Sequence, residues 1–261
     1  MSDYNLDEVL GAFKQAFKQV RGLILNNAGK VDFSTKEDSS PVTTIDIQVE
    51  KEIFKAILGE FPKLEIYGEE SGYNDQVCMG SCWLVDPIDG TQSFIKNTGY
   101  FTSMAVCVIG NQPVASIIYD PTHDDVYSAI RGQGAYLNDV RLDLAAKPLP
   151  KTYCVKKLND ELEGVFAQYR LQPDYSESVG AGTSFSMVAR GVQAMRISIK
   201  SKGYIHDYAT GALLVSEAGG ILIPVLDSEY RATTKSFIAC HPDIAEAVKD
   251  NLDLFKRLEL G

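Results

Sequence analysis

The clearest signal for the fold class comes from the segment Trp83-Leu84-Val85-Asp86-Pro87-Ile88-Asp89-Gly90-Thr91. An apolar run leads directly into two aspartates that flank a proline and an isoleucine and precede a glycine. A buried strand that ends in acidic residues presents them at the carboxyl edge of a sheet, where α/β proteins bind their ligands. Proline and glycine tighten the turn, so Asp86, Asp89 and the carbonyl of Ile88 can be aimed at one point.

Acidic residues recur at two other element ends. Gly68-Glu69-Glu70 follows a strand predicted at residues 64–67, and Asp207 precedes an uncharged helical stretch. Carboxylate and carbonyl oxygens, with no His or Cys among them, suit a hard cation such as Mg²⁺. Alone, Asp-Pro-x-Asp-Gly is equally a good turn sequence and Asp207 equally a helix N-cap. The combination favours a metal centre.

Composition narrows the class of protein. The 261 residues are 45% hydrophobic, enough to bury a sizeable core in one large domain or two small ones. No run approaches the roughly 18 apolar residues of a membrane span, and the polar start is unlike a secretory signal. The net charge of −10 argues against nucleic-acid binding. The odd number of cysteines, 5, argues against a disulfide framework. We expect a cytoplasmic protein with no membrane or nucleic-acid partner.

Hydrophobic periodicity predicts two halves. The first, residues 1–144, has helices at 6–25 and 44–58, the second capped by Thr44, and strands at 64–67, 82–85, 102–109, 114–119 and 125–130. The second, residues 145–261, has helices at 159–168, 183–190, 207–218 and 242–257 and strands at 194–199, 221–224 and 236–239. The sequence therefore predicts an α/β (α+β) fold.

A short helix is expected to begin at Gly90 and Thr91. Its free backbone N–H groups and positive dipole end can bind phosphate oxygens, and glycine allows a close approach. Thr91 is equally interpretable as a helix N-cap. Judged alone, Asp46 is interpretable as a residue on a solvated helix face and Lys36 as a charged residue in a loop.

With these residues in place, the chain resembles the inositol monophosphatase superfamily, the metal-dependent, lithium-sensitive phosphatases. The matching segments are Gly68-Glu69-Glu70-Ser71, residues 83–91 with Phe94, Asp207-Tyr208-Ala209-Thr210-Gly211-Ala212, Glu217-Ala218-Gly219-Gly220, Lys36, and Ser40-Pro41-Val42-Thr43 leading to Asp46. The resemblance implies the layered α-β-α-β-α sandwich of the inositol monophosphatase and fructose-1,6-bisphosphatase type. It also implies a small phosphorylated metabolite as substrate, a homodimer and inhibition by Li⁺.

The resemblance also assigns roles to individual residues. Glu69, Asp86 and the Ile88 carbonyl would bind one Mg²⁺. Asp86, Asp89 and Asp207 would bind a second Mg²⁺. Glu69 and water molecules would bind a third ion more weakly. Thr91 with Asp46 would orient and deprotonate the attacking water. Cations that share Asp86 can neutralise a phosphate and activate water, as hydrolysis of its ester requires.

Three departures fall where the family contacts the organic part of its substrate. His206 stands where tryptophan is common, Lys200 where inositol-specific members have an acidic residue, and Val179-Gly180-Ala181-Gly182-Thr183 replaces a Gly-Ser-rich stretch. We therefore include His206, Lys200 and Gly182 as candidate substrate residues. His206 is also interpretable as a core or cap histidine, and Lys200 as a solvated strand end.

The departures leave several functions open beside an inositol monophosphatase-like activity. A histidinol-phosphatase, a 3'(2'),5'-bisphosphate nucleotidase and a fructose-bisphosphatase are alternatives within the superfamily. A non-catalytic regulatory relative that binds metal and phosphate is an alternative of another class.

Overall fold

A computed structural model describes residues 4–36, 41–154, 158–174, 179–200 and 203–261. Ser40 of the family motif, and Ser201 and Lys202 after Lys200, lie outside these ranges.

The first helices bear out the predicted periodicity. Helix α1 spans Leu6–Asn27, strands β1 (Phe33–Thr35) and β2 (Pro41–Thr43) form a small antiparallel pair, and α2 spans Thr44–Glu60. The predicted cap Thr44 is wrong by one position. Thr43 is the N-cap because its hydroxyl accepts the N–H groups of Ile45 and Asp46, and the Asp46 carboxylate accepts the N–H of Thr43 in return.

The larger sheet contains seven strands in chain order, β3 to β9. They are β3 Ile66–Gly68, β4 Ser81–Asp89, β5 Thr102–Ile109, β6 Gln112–Asp120, β7 Asp125–Ile130, β8 Gly134–Leu137 and β9 Val140–Arg141. A 3₁₀ turn (Asp75–Met79) precedes β4, and helix α3 (Thr91–Lys96) follows it. Only β3 and β4 pair in parallel, and every other neighbouring pair is antiparallel. The sequence had not predicted β8 and β9.

The second sheet has five strands in the order β11-β10-β12-β14-β13. They are β10 Thr152–Cys154, β11 Gln172–Asp174, β12 Met195–Ser198, β13 Ile221–Pro224 and β14 Phe237–Cys240. The helices of this half are α4 Asp160–Gln168, α5 Ala181–Ala189, α6 Ile205–Glu217, α7 Ala245–Asp250 and α8 Leu252–Leu260. The single helix predicted over 242–257 is thus broken, because Asn251 leaves the helical conformation and its side chain binds the carbonyl of Ala247.

Five layers result. Helices α1 and α2 pack on the outer face of the larger sheet, where Phe13 lies against Trp83. Helices α5 and α6 lie between the sheets, and α4, α7 and α8 cover the outer face of the smaller one. This is the predicted α-β-α-β-α sandwich. The sheets fall on either side of residue 144, though a division into two domains there stays a prediction. None of the helices described has the length and apolar character needed to cross a membrane.

Candidate metal centre

The parallel pairing of β3 and β4 brings the first two acidic positions together. Gly68 lies opposite Val85 in the register, and the N–H of Glu69 donates to the carbonyl of Val85 at 3.0 Å. Glu69 and Asp86, the residues that follow this pair, therefore lie side by side at the carboxyl end of the parallel pairing, as the sequence predicted.

The turn between Asp86 and Asp89 is a bulge against β5. Asp86 lies opposite Met104 and Asp89 opposite Thr102, so two residues of β4 face one residue of its partner. The N–H of Ile88 donates to Asp86 Oδ1 at 3.0 Å, which closes the turn. Both aspartates are buried, with exposures of 2% and 5%, and the turn brings them into one cluster.

Two sets of three side chains in this cluster have ligand atoms close enough to share an ion. One set is Glu69, Asp86 and His206; the other is Asp86, Asp89 and Asp207. Within each set the ligand atoms lie within 4.8 Å of one another. Asp86 belongs to both sets, which is the arrangement that a bridging carboxylate requires.

Asp207 lies in the first turn of α6 and is not its N-cap. That position is occupied by Tyr204, whose N–H donates to Asp207 Oδ2 at 2.6 Å. The N-cap interpretation of Asp207 is therefore wrong, and its carboxylate both closes the helix start and faces the cluster.

The carboxylates of the cluster have strongly perturbed pKa values. Burial, and then the charge of Glu69, raises the pKa of Asp86 well above its usual range. Burial and the charge of Asp207 raise the pKa of Asp89 to about 6, and burial also raises that of Asp207. Buried carboxylates that repel one another are stabilised by a bound cation. The oxygen donors of these three aspartates fit Mg²⁺.

Lys36 is part of the site rather than a solvated loop charge. Its Nζ lies 2.7 Å from Glu69 Oε1 and 2.9 Å from Glu70 Oε1. Burial opposes ionisation of Glu69, but His206 and Lys36 together lower its pKa to about 2. Burial and the charge of Glu69 raise the pKa of Glu70 to about 7, despite Lys36. Glu69 therefore stays anionic while one of its oxygens is paired.

His206 is fully buried beside the same carboxylates. Its Nδ1 lies 2.8 Å from the Tyr73 hydroxyl, and its Nε2 lies 3.4 Å from Glu69 Oε2 and 3.8 Å from Asp86 Oδ2. These approaches do not have hydrogen-bond geometry, and Nε2 has no hydrogen-bond partner in the part of the chain described. The predicted donor set contained oxygens alone, and the structure adds this nitrogen to it.

Asp46 and Thr91 meet at the edge of the cluster. Asp46 is 1% exposed, and its Oδ1 lies 3.5 Å from the Thr91 hydroxyl. That hydroxyl is also 3.3 Å from the carbonyl of Ile88. Thr91 is the first residue of α3, and Gly90 is its cap with a φ of 83°. The N-cap interpretation of Thr91 is therefore wrong.

The sequence profile of the inositol monophosphatase family matches residues 5–252. The chain belongs to the inositol monophosphatase family. As a member it is a metal-dependent phosphatase.

Several family members are similar over nearly the whole chain. Nus factor SuhB of Escherichia coli (strain K12) is 30% identical over 236 residues, which are 85% of this chain and 86% of the relative. The 3'(2'),5'-bisphosphate nucleotidase CysQ of Aggregatibacter actinomycetemcomitans is 27% identical over 249 residues, 90% of this chain and 88% of the relative. Among solved structures, the Thermotoga maritima IMPase has a TM-score of 0.78 at 22% identity and covers 95% of this chain and 97% of its own.

Gly182 and Lys200, two positions at which the chain departs from the inositol monophosphatase pattern, lie in different surroundings. The N–H groups of Ala181 and Gly182 each donate to Asp89 at 2.8 Å, and a Cβ on Gly182 would lie 2.3 Å from the Thr102 hydroxyl oxygen. Gly182 therefore supports the Asp89 carboxylate. Lys200 is exposed, and its N–H donates to Glu259 of α8 at 2.6 Å. Roles for both in substrate binding stay predictions.

The sequence did not point to Glu50, which holds the Glu69 segment in place. Its carboxylate accepts the N–H groups of Glu70 and Ser71, each at 2.9 Å. Glu50 lies four residues after Asp46 in α2, so the two share a helix face. That spacing was the available signal. No comparable signal existed for Tyr73, which contacts His206 from 133 positions away.

Proposed function

We propose that this phosphatase hydrolyses a small phosphate monoester in a Mg²⁺-dependent reaction at the cluster around Asp86. The observation that carries the proposal is the membership of Asp86 in both sets of potential ligands. Such sharing is typical of centres that bind two cations a few ångströms apart.

In this proposal, Glu69, Asp86 and the carbonyl of Ile88 hold one ion, and Asp86 with Asp89 and Asp207 holds a second. The resemblance to the family allows two or three ions in all. When bound, the cations supply Lewis acidity toward the attacking water and neutralise charge on the phosphate and the leaving oxygen.

Thr91 and Asp46 would act on the attacking water. The Thr91 hydroxyl orients the water, and Asp46 Oδ1, 3.5 Å from that hydroxyl, receives the proton. Burial raises the pKa of Asp46, which makes its carboxylate a better base. The other oxygen, Oδ2, accepts the N–H of Thr43 at 2.9 Å, so the carboxylate keeps one orientation.

The phosphate would bind at Gly90 and Thr91. The N–H of Thr91, the first residue of α3, has no acceptor within the helix and can donate to a phosphate oxygen. A Cβ on Gly90 would lie 2.9 Å from the carbonyl oxygen of Tyr100, and the positive φ of Gly90 is strained for other residues. Glycine thus permits the turn that leads from the aspartates into α3.

Other properties of the proposal rest on family resemblance and composition. They are a homodimeric state, inhibition by Li⁺ and a cytoplasmic location. The cysteines at 78, 82, 107, 154 and 240 form no disulfide with one another, as expected of a reducing compartment.

A panel of phosphate-release assays would identify the class of substrate. Inositol phosphates, histidinol phosphate, adenosine bisphosphate, fructose bisphosphate and nucleotide monophosphates are assayed at saturating Mg²⁺. Hydrolysis of one class at a kcat/KM at least about tenfold above the rest identifies it. Preference for adenosine bisphosphate would favour the nucleotidase named among the relatives. Release from none of them would contradict the proposal and favour the alternative of a non-catalytic relative that binds metal and phosphate.

A further inference from the structure

We infer that His206 is a metal ligand, and that Glu69, Asp86 and His206 form a mixed nitrogen and oxygen site for a transition metal such as Zn²⁺ or Co²⁺. The inference deepens the proposed function, on which it rests, because two of the three ligands belong to the proposed Mg²⁺ centre.

The first argument is the direction of a buried nitrogen that makes no hydrogen bond. Nε2 of His206 is fully buried and has no hydrogen-bond partner in the part of the molecule that is described, yet it faces Glu69 and Asp86. A buried polar atom without a partner is destabilising. A cation bound between this nitrogen and the two carboxylates would satisfy all three groups.

The second argument is the tautomer. The hydroxyl oxygen of Tyr73 lies 2.8 Å from Nδ1 and 3.4 Å from the backbone nitrogen of His206, which donates to it. When an ion displaces the proton of Nε2, an Nδ1–H that donates to the same oxygen leaves the lone pair on Nε2, the atom that faces the carboxylates. Metal-binding histidines are commonly oriented in this way by an acceptor at the other ring nitrogen.

The third argument is distance. Two ligands that each lie about 2.1 Å from one ion are roughly 3.0–3.5 Å apart at octahedral to tetrahedral angles. The separation of 3.4 Å between Nε2 and Glu69 Oε2 fits this, and the 3.8 Å to Asp86 Oδ2 needs only a small closure. Lys36 binds the other oxygen of Glu69, Oε1, which leaves Oε2 for an ion.

The chemical type of the donor atoms determines which metal ion the site prefers. Imidazole nitrogen favours borderline ions such as Zn²⁺, Co²⁺ and Fe²⁺ over Mg²⁺, which prefers oxygen. The set Asp86, Asp89 and Asp207 contains oxygens only and so suits Mg²⁺. A transition metal would therefore take the place of Mg²⁺ at the ion site of Glu69 and Asp86, while Mg²⁺ stays at the second site, and the two ions would share Asp86.

The ¹⁵N chemical shifts of the imidazole rings show directly whether His206 binds the metal. The chain has only 3 histidines, so a long-range ¹H–¹⁵N spectrum of the full-length protein resolves each imidazole. Diamagnetic Zn²⁺ should shift Nε2 of His206 far more than Mg²⁺ does, because only Zn²⁺ would be bonded to this nitrogen. The other histidines should not move at one equivalent of Zn²⁺, because neither His123 nor His241 belongs to a set of three potential metal ligands in the part of the chain described. Bound Zn²⁺ with no shift at His206 would overturn the inference.

Variants give a second readout by calorimetry. His206→Phe keeps a ring against Tyr204, whose ring centroid is 5.5 Å away, and should weaken Zn²⁺ binding by about 100-fold or more. Mg²⁺ affinity should change by less than about threefold, since Mg²⁺ prefers the oxygen set. The control His123→Phe should change neither. Equal losses for the two metals would contradict the inference.

The two proposals can fail separately. Mg²⁺-dependent phosphate release with no Zn²⁺ response at His206 would contradict only the proposal that His206 is a ligand. A Zn²⁺ response at His206 with no hydrolysis of any phosphate ester would contradict only the proposed function. The nuclear magnetic resonance test uses the unmodified protein, so it stands even if His206→Phe fails to fold.

Discussion

A Cβ on Gly68 would lie 2.0 Å from Oε2 of Glu50. The absence of a side chain at Gly68 lets the buried carboxylate of α2 reach the chain just after β3. There it accepts the N–H groups of Glu70 and Ser71. Glu69 is held beside Asp86 by this contact as well as by the sheet.

Glu50→Gln should therefore disturb the centre without touching a proposed ligand. The amide has only one oxygen, so one of the two N–H groups would face an NH₂ donor. We expect a loss of about 1–3 kcal/mol in the free energy of unfolding. We also expect a drop of about tenfold or more in kcat/KM as Glu69 shifts, measured by steady-state phosphate release. Glu52→Gln, at an exposed position of the same helix, is the control and should leave both unchanged.

Gly182→Ala should displace Asp89. The new Cβ would lie 2.3 Å from the Thr102 hydroxyl oxygen and 3.2 Å from Asp89 Oδ2, in a fully packed region. Overpacking of this kind costs about 1–3 kcal/mol, and kcat should fall with the stability. Gly164→Ala is the control. Its Cβ meets nothing within 4 Å in α4, so thermal unfolding should show a gain of about 0.5–1 kcal/mol. A change in KM alone for Gly182→Ala would favour the predicted role in substrate binding.

Thr91→Ala should lower kcat more than it changes KM, because a hydroxyl that orients water acts on the chemical step. Thr91→Ser keeps the hydroxyl near Asp46 and should retain most of the activity. The comparison needs full steady-state curves for both variants. If Thr91→Ala raises KM at unchanged kcat, the hydroxyl serves phosphate binding instead.

Chelation should abolish activity and lower thermal stability together. EDTA removes the cations that offset repulsion among Asp86, Asp89 and Asp207, and a ligand that binds only the folded state stabilises it by mass action. We expect phosphate release to stop, and the melting temperature to fall and then recover when Mg²⁺ is restored. Full turnover after exhaustive chelation would contradict a metal-dependent reaction.

The elements that the sequence predicted are those with strong local signals. Helices α1 and α2 followed from apolar spacing, and the convergence of Glu69 and Asp86 followed from two strands that both end in acidic residues. Short strands such as β8 and β9 were missed because a few residues carry no clear period. The cap was placed at Thr44 instead of Thr43 because neighbouring threonines are equivalent in a pattern.

The parts of the centre that the sequence did not predict depend on tertiary contacts. The His206 imidazole faces Glu69 because Tyr73 holds it there, across 133 positions of the chain. Glu50 fits because Gly68 leaves room for it. Neither contact leaves a periodic trace in the sequence, so both require the folded structure.

Asp86, the carboxylate that both sets of potential ligands share, is the residue whose replacement should affect the reaction most. Asp86→Asn keeps the shape of a buried side chain and removes a carboxyl group whose ionised form is disfavoured by burial and by the charge of Glu69, so the metal-free protein should melt no lower than the unmodified one. At saturating Mg²⁺, kcat for phosphate release should fall by about 1,000-fold or more, because one substitution weakens both proposed ion sites. Retention of more than about a tenth of the activity, a deficit under about 1.4 kcal/mol, would contradict the account.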